Sequence, residues 1–586
     1  MRKLFAACLL AAFAVCAAGV APGQTQSTNL EFTPTGSASW NDANNWIEIV
    51  DTQYAWDMGY QTTGQNRLPS MGADWVTGDT VYIRSGASVT LNNSVPYIRN
   101  LYVGARDIWA TGDPNYTDPN FAYVSRPAST LNIASGAVLI IDPNRTQDPG
   151  KGGNTQIGSF YDATLNMTGG SLAPCWFRFG EGMGSTGIFN LSGGTVTIRY
   201  RMNVGRMGGR TGWKADDGIT QWGGGYGEVN QTGGALLLDI PTREVWIGTT
   251  GGVTTNYTDG FGNPLVVTWG GKGVYNLSAG VASAGKLRMG KYSYWTNPLD
   301  PNDPNGTWLP AIGVLNVTGG SFGVQDVECG SSGGDGTMNL LGGSFTSAYQ
   351  VYVGGPTGST SAKMRVGVGA EVQLGLDATG GAALRFYTQD PNLPPVVKEL
   401  TMDISNAGNA VIKVPAGSAG AVNLSDGTTL IMNATGTPLY RPDKYGDTFT
   451  IIDNAGTGAS TGNFAAFTTN ITAGPDPNAG PFWTGAFDPN SKDYVVKFLG
   501  LTKGDADGSW SVAFIDLSTL ASNWNQTGQA WSDGDFSGDG LVGFIDLSSL
   551  ASNWGWTKPA GAPVPEPATL ALLGLGGVAL IRRRRS

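Results

Sequence analysis

The 586-residue chain contains no histidine. That removes the Ser-His-Asp triad, the Cys-His pair, His-ligated zinc and any imidazole base. Carboxylate, Tyr, Lys, Arg and calcium chemistry are what is left to an enzyme. Charge is also scarce: 14 % of residues are charged, against an ordinary ~25 %. Aromatics at 10 % nevertheless exclude a charge-rich disordered chain. Only four cysteines occur, and Cys8 and Cys16 sit in the N-terminal apolar stretch. Cys175 and Cys329, far apart in sequence, form no disulfide framework; two buried thiols fit them, as does one bridge after export. No apolar run reaches the ~20 residues of a membrane span. Glycine is the residue in excess, at 89, but with 31 prolines and no G-X-Y period the chain is not collagen.

Both ends read as processing signals. Met1, Arg2 and Lys3 precede an apolar run from Leu4 to Val15 and the small residues Ala17, Ala18 and Gly19, the three parts of a secretory signal peptide over residues 1–26. At the other end Pro565-Glu566-Pro567 precedes the apolar run Ala568–Ile581 and then Arg582 to Arg585. This order resembles the PEP-CTERM sorting signal of Gram-negative surface proteins. The resemblance implies an exosortase-type processing enzyme as partner, transient C-terminal membrane anchoring, and delivery to the cell surface or its matrix. Loss of both ends removes six basic residues and one acidic residue, moving the net charge from −10 to −15. Nucleic acid is not an expected partner for such a surface.

A repeat fills the middle. Leu165-Asn166-Met167-Thr168-Gly169-Gly170 returns around Asn190, Asn230, Asn276, Asn316 and Asn339, with weaker copies at Asn132 and Asn423. Each is a short alternating strand that ends in a glycine turn. A second strand closes each unit on Gly180, Gly205, Gly248, Gly290, Gly330 or Gly354, at Asn-to-Gly offsets of 14, 15, 18, 14, 14 and 15. The near-constant offset predicts a mainly β chain, a parallel β-helix or solenoid over residues 104–435. A cap and first coil would span 27–103, and a closing β segment 436–500. Single coils cannot bury their own apolar face, so neighbours stack. The Asn amides are expected at the turns, bonding the coils above and below, with Gly-Gly supplying positive φ. The pattern resembles the β-helical repeats of autotransporter-type surface proteins.

Long loops after Gly104, Gly205, Gly248 and Gly290 are rich in aromatics. If they leave one flank, Trp213, Trp222, Trp269, Trp295 and Trp308 are candidates to bind extracellular polysaccharide, whose rings offer apolar C–H faces. The alternative is that they cover the solenoid flank.

The clearest motif is a tandem repeat at a 30-residue period, Phe514 to Trp524 and Phe544 to Trp554. In the loop before the second copy, Asp535, Ser537, Asp539 and Asp546 take positions 1, 3, 5 and 12, with Gly540 at position 6. That is the oxygen-ligand ladder of an EF-hand calcium loop. In the first loop Asp505, Asp507, Ser509 and Asp516 take the same positions, but Trp510 replaces the glycine, which points to the second loop as the better site. Leu517, Leu520 and Ala521, with Leu547, Leu550 and Ala551, follow helical spacing and should pack two helices together. Residues 503–557 resemble a type I dockerin: a small all-α, EF-hand-like module with calcium as cofactor. The resemblance implies a cohesin-like partner; a calcium-clamped spacer is the alternative. Residues 558–586 form the linker and sorting tail.

The expected function is that of an exported structural or adhesive surface protein, without catalytic residues. The rival is a polysaccharide-binding or polysaccharide-degrading protein, a lyase or hydrolase. Arg199, Arg201, Arg206 and Arg210 cluster as a lyase would need, but no carboxylate set repeats at coil spacing beside them.

Overall fold

A computed structural model describes residues 29–557, except 33–36, 50–78, 84–85, 96–97, 105–127, 142–152, 160, 182–184, 207–220, 224, 239–241, 250–251, 254–265, 292–307, 310, 331–333, 355–360, 388–396, 425–426, 437–446, 471–478, 510 and 538. The signal peptide, the Pro565-Glu566-Pro567 motif and the C-terminal apolar run lie outside these. The chain divides into two compact units. One is Met1–Tyr440 with Phe449–Asn470 and Gly485–Val496; the other is Arg441–Thr448 with Ile471–Thr484 and Lys497–Ser586.

The first unit is mainly β, and its strands pair at one-repeat intervals. The strand Thr186–Leu191 lies parallel between Ala163–Met167 of the preceding repeat and Tyr226–Leu238 of the following one. Thr195–Ile198 lies parallel between Ser171–Ala173 and the second half of Tyr226–Leu238. Trp176–Phe179 lies parallel between Asn154–Ile157 and Arg201–Arg206. Each repeat thus supplies three short strands to three parallel ladders. The first ladder runs beyond 104–435 in both directions, from Ser37–Ser39 to Ala466–Thr469.

Parallel register with a constant repeat places like residues over like. Inward positions form continuous apolar rows. One runs Leu131, Leu165, Phe189, Val229, Tyr275, Leu315, Met338, Met364 and Leu400, all at most 1 % exposed. The neighbouring row has one polar member, Gln231, at 0 % exposure. It is satisfied there: it accepts from the Tyr275 hydroxyl at 2.6 Å and donates to the Val281 carbonyl at 2.9 Å. Burial drives the Tyr275 phenol far above its usual pKa, so it remains a donor.

The asparagines form a third row, on the outward side. Asn132, Asn166, Asn190, Asn230, Asn276, Asn316 and Asn339 are consecutive in register. Each Nδ2 donates to the preceding Oδ1, at 2.9, 2.8, 3.1, 2.8, 2.8 and 2.8 Å. This corrects one expectation: the residues lie within strands rather than at turns, half-buried. Their amides bond one another along the row, and Asn132 also donates to the Val89 carbonyl at 3.5 Å. Asn423 is not a member; it pairs with Arg385 in a different ladder. Past Asn339 the register position passes to Arg365, and the network continues through Asp403, which binds Arg365 at 3.1 Å and Asn433 at 2.6 Å.

Glycine makes the corners. In the Gly-Gly pairs only the second residue has positive φ, as at Gly170, Gly194, Gly234, Gly320 and Gly343. A further row had gone unread in the sequence: Gly187, Gly227, Gly273, Gly313 and Gly336 are stacked in register. Against this row pack the closing glycines of neighbouring repeats. A Cβ on Gly227 would overlap the Gly205 nitrogen, and one on Gly205 would overlap the Lys272 carbonyl. Backbone meets backbone there with no room for a methyl group.

Cys175 and Cys329 are both buried and are not joined to each other by a disulfide. Burial pushes the Cys329 thiol up to about 12, so it stays protonated and inert at neutral pH.

Among the described residues no helix is long and apolar enough to cross a membrane.

Two substitutions separate φ strain from crowding. Gly136 has φ +84° with nothing within 4 Å of a built Cβ, so Gly136→Ala should cost only the left-handed penalty, about 1–2 kcal/mol. Gly205→Ala, with φ +69° and the Lys272 carbonyl in the way, should cost about 1–3 kcal/mol more. Urea midpoints measure both, and equal losses would contradict the close-packed corner.

Candidate metal centre

The second unit holds the tandem repeat as two nine-residue helices, α1 (Phe514–Ser522) and α2 (Phe544–Ser552). Leu520 and Leu550 are buried at 1 % exposure beside Ala506, Val512, Phe536 and Val542, with Leu517 and Leu547 packed against them. Ala521 and Ala551 are exposed, contrary to the packing expected of them, because each helix turns only its leucines inward.

The two copies interlock by a pseudo-twofold exchange. Asn523, at the C-terminus of α1, donates to the Asp533 carbonyl at the start of the second loop, at 2.9 Å. Its counterpart Asn553 donates to the Lys503 carbonyl at the start of the first loop, also at 2.9 Å. Gly504 packs on Leu550 and Gly534 on Leu520. Short antiparallel bridges join Ser511 to Thr557 and Thr527 to Leu541. Each of these pairs repeats at the 30-residue period, so that period could have revealed Asn523 and Asn553 as clasps.

In the first loop one ligand oxygen each of Asp505, Asp507 and Asp516 converge within 4.8 Å of one another. Asp505 and Asp516 are at 1 % and 0 % exposure; Asp507 is exposed. Asp516 is held by three backbone donors. Its Oδ1 accepts from Ala506 at 2.7 Å and Asp507 at 3.2 Å, and its Oδ2 accepts from Ala513 at 2.8 Å, capping α1. The Ser509 amide donates to Asp505 and Asp507 at 3.1 and 2.9 Å, while its hydroxyl turns to the Ser511 carbonyl at 3.2 Å.

In the second loop Asp546 repeats the capping role, accepting from Ser537 and Gly543 at 2.8 Å each. Asp535 accepts from the Ser537 hydroxyl at 3.0 Å and the Gly540 amide at 2.8 Å. Asp539 is exposed and accepts from the Leu541 amide at 2.8 Å. Among the described residues only the first loop gathers three carboxylates, although the sequence pointed to the second.

The donor set is all oxygen. Calcium takes about six to eight oxygen ligands, carboxylates prominent among them; the first loop brings three carboxylates together. Two fully buried carboxylates facing a third carry a charge that backbone amides only partly offset. The residues present therefore fit a divalent cation, which Asp505, Asp507 and Asp516 could hold.

A second constellation lies on the outward side of the third ladder. The Arg201 guanidinium sits 4.0 Å from the Trp246 ring and 5.3 Å from the Trp176 ring, and pairs with Glu244 at 3.0 Å. Arg288 bridges Glu244 at 3.2 Å and Glu328 at 2.8 Å. Arg178 and Arg206 share Glu181 at 2.8 and 2.7 Å. Arg201 and Arg206 thus bind carboxylates of neighbouring repeats, Glu244 on a paired strand and Glu181 just past the end of another, a cross-strand clasp. Arg210 lies outside the described residues.

Trp213 and Trp295 also lie outside them. Trp222, Trp269 and Trp308 fall on short strands whose side chains are outside the described set. Gln221–Gly223 pairs parallel with Val266–Trp269, and Gly252–Val253 pairs antiparallel with Trp308–Leu309. Successive long loops therefore pair with one another by their backbones.

Residues 563–585 match the model of the PEP-CTERM protein-sorting motif. The motif marks the chain for export and for sorting by an exosortase-type system to the surface of a Gram-negative bacterium. A search of curated proteins found no match to the chain.

Replacing Asp516 by Ala leaves three amide donors without their acceptor, one of them buried. The module should lose roughly 2–4 kcal/mol, while Asp539→Ala, at an exposed position with one such bond, should lose less than about 1 kcal/mol. Chemical denaturation followed by hydrogen exchange in α1 and α2 reads both values.

Proposed function

We propose that the chain is an exported structural protein of the bacterial surface: a parallel β-helix body carrying a calcium-clamped, dockerin-like module ahead of its sorting tail. The observation that carries this reading is the asparagine row, six consecutive amide bonds that tie seven repeats into one stack. Such a body is stiff, grows by repetition and needs no ligand to define it. The cross-strand clasp around Arg201 supports the same reading, since its cations are matched to the protein's own carboxylates.

Calcium acts here as a fold component. Asp505, Asp507 and Asp516 hold it at the first loop, and Asp535, Ser537, Asp539 and Asp546 supply oxygen donors at the second. When bound, the ion neutralises the buried acids and locks loop to helix. The interlocked copies, with Asn523 and Asn553 exchanged between loops, support the dockerin-like reading of residues 503–557.

Scanning calorimetry of the mature protein with calcium and after chelation tests this. At free calcium near 100 times the dissociation constant the module should gain about 2.7 kcal/mol, so chelation should lower its transition and leave that of the β body in place. An unchanged profile would refute the calcium role. Turnover of an acidic or neutral polysaccharide by the same preparation would overturn the structural reading.

A further inference from the structure

Of the eleven exposed large apolar side chains among the described residues, seven lie between Phe514 and Trp554. The repeat duplicates them. Phe514, Ile515 and Trp524 are 74, 61 and 36 % exposed; Phe544, Ile545 and Trp554 are 81, 63 and 51 % exposed. Trp524 stands edge-on to Phe544 at 5.2 Å, which places the end of α1 beside the start of α2.

Among the described residues, no exposed side chain of the two segments is charged. The exposed residues from Phe514 to Trp524 are Phe, Ile, Ser, Ala and Trp, and the same types recur from Phe544 to Trp554; Asp516 and Asp546 are buried. Three of the serine hydroxyls are already spent on the helices. Ser522 donates to the Ser518 carbonyl at 2.8 Å, Ser552 to Ser548 at 2.7 Å, and Ser549 to Ile545 at 3.0 Å. They lose no water-exposed bond when water leaves. In a chain of net charge −10, an uncharged face of this extent marks a contact surface.

The length of the remaining chain names the occupant. The module ends at Thr557, bridged to Ser511 and so three residues from Phe514. Only residues 558–567 separate it from the apolar run Ala568–Ile581. Ten residues reach about 35 Å at full extension. While that run is in a bilayer, the module is held within this distance of the headgroups.

We propose that the outer face of α1 and α2 docks on the membrane interface that receives the sorting tail, with Phe514, Ile515, Phe544 and Ile545 inserted and Trp524 and Trp554 at headgroup level. Aromatic and aliphatic side chains on an uncharged face suit that zone. Docking holds the linker, and Pro565-Glu566-Pro567 with it, at the membrane surface where a membrane-bound processing enzyme works. The proposal rests on the sorting reading for the tail's place in the bilayer.

The test uses the chain with its tail retained, an environment-sensitive NBD dye on Ser548→Cys, and vesicles of phosphatidylethanolamine and phosphatidylglycerol in calcium. Removal of residues 1–26 takes Cys8 and Cys16 away, and Cys175 and Cys329 are buried, so the dye reports from the helix face alone. Vesicles should shift the emission to the blue and raise it. A variant with Phe514→Ser, Ile515→Ser, Phe544→Ser and Ile545→Ser should float with the vesicles through its tail, keep its calcium-dependent transition, and lose the emission change by about tenfold. Flotation without an emission change in the parent would overturn the docking and leave the sorting reading intact. Failure to float would overturn both. An emission change that grows with protein concentration in the absence of lipid would assign the face to a second copy and overturn the membrane contact.

Discussion

Everything in the β body depends on one constraint: strands of successive repeats pair in parallel and in register. With that fixed, each position along a repeat is stacked on its own kind. A leucine row buries itself, a glycine row lets corners close, and an asparagine row bonds end to end. Side-chain amides suit the last role because each carries both donor and acceptor, so a row satisfies every member but the terminal ones. Where the row stops after Asn339, Arg365 takes its position, and an Arg365–Asp403–Asn433 network continues from it two residues further along the next strands. Charges on the third ladder follow the same logic, with arginine and glutamate of neighbouring strands facing each other across Trp176 and Trp246.

The helical module solves a different problem. It is small, and its apolar core has few members. Duplication supplies the missing order: each copy's terminal asparagine fastens the other copy's loop, and each loop's last aspartate caps its own helix. The carboxylates are thus placed by backbone hydrogen bonds before any cation is considered. A cation held by these loops would share Asp516 and Asp546 with helix capping, and metal and fold would then be coupled through the same oxygens.

Much of this was legible in the sequence because repetition is a strong signal. Seven asparagines, six closing glycines and a 30-residue duplication can be read by eye, and the sorting motif carried its own order of parts. Three features were read wrongly or missed for identifiable reasons. Asn423 copies the local motif, yet ladder membership is set by which strand it meets, and that is a tertiary fact. The glycine three residues before five of the seven ladder asparagines, at Gly187, Gly227, Gly273, Gly313 and Gly336, was also regular, but its cause is close approach between repeats. The choice between calcium loops rested on the position-6 glycine. The carboxylates that converge are in the loop lacking it, at positions 1, 3 and 12; the second loop has Ser537 at position 3 where the first has Asp507.

The central claim is that neighbouring repeats are bonded side chain to side chain through the asparagine row, and a double-mutant cycle tests it most directly. Asn230 and Asn276, bonded at 2.8 Å, should show a coupling of about 0.5 kcal/mol or more when both become Ala, whereas Asn132 and Asn339, several repeats apart, should be additive within about 0.3–0.5 kcal/mol. Additivity for the adjacent pair, or equal coupling for both pairs, would contradict the account.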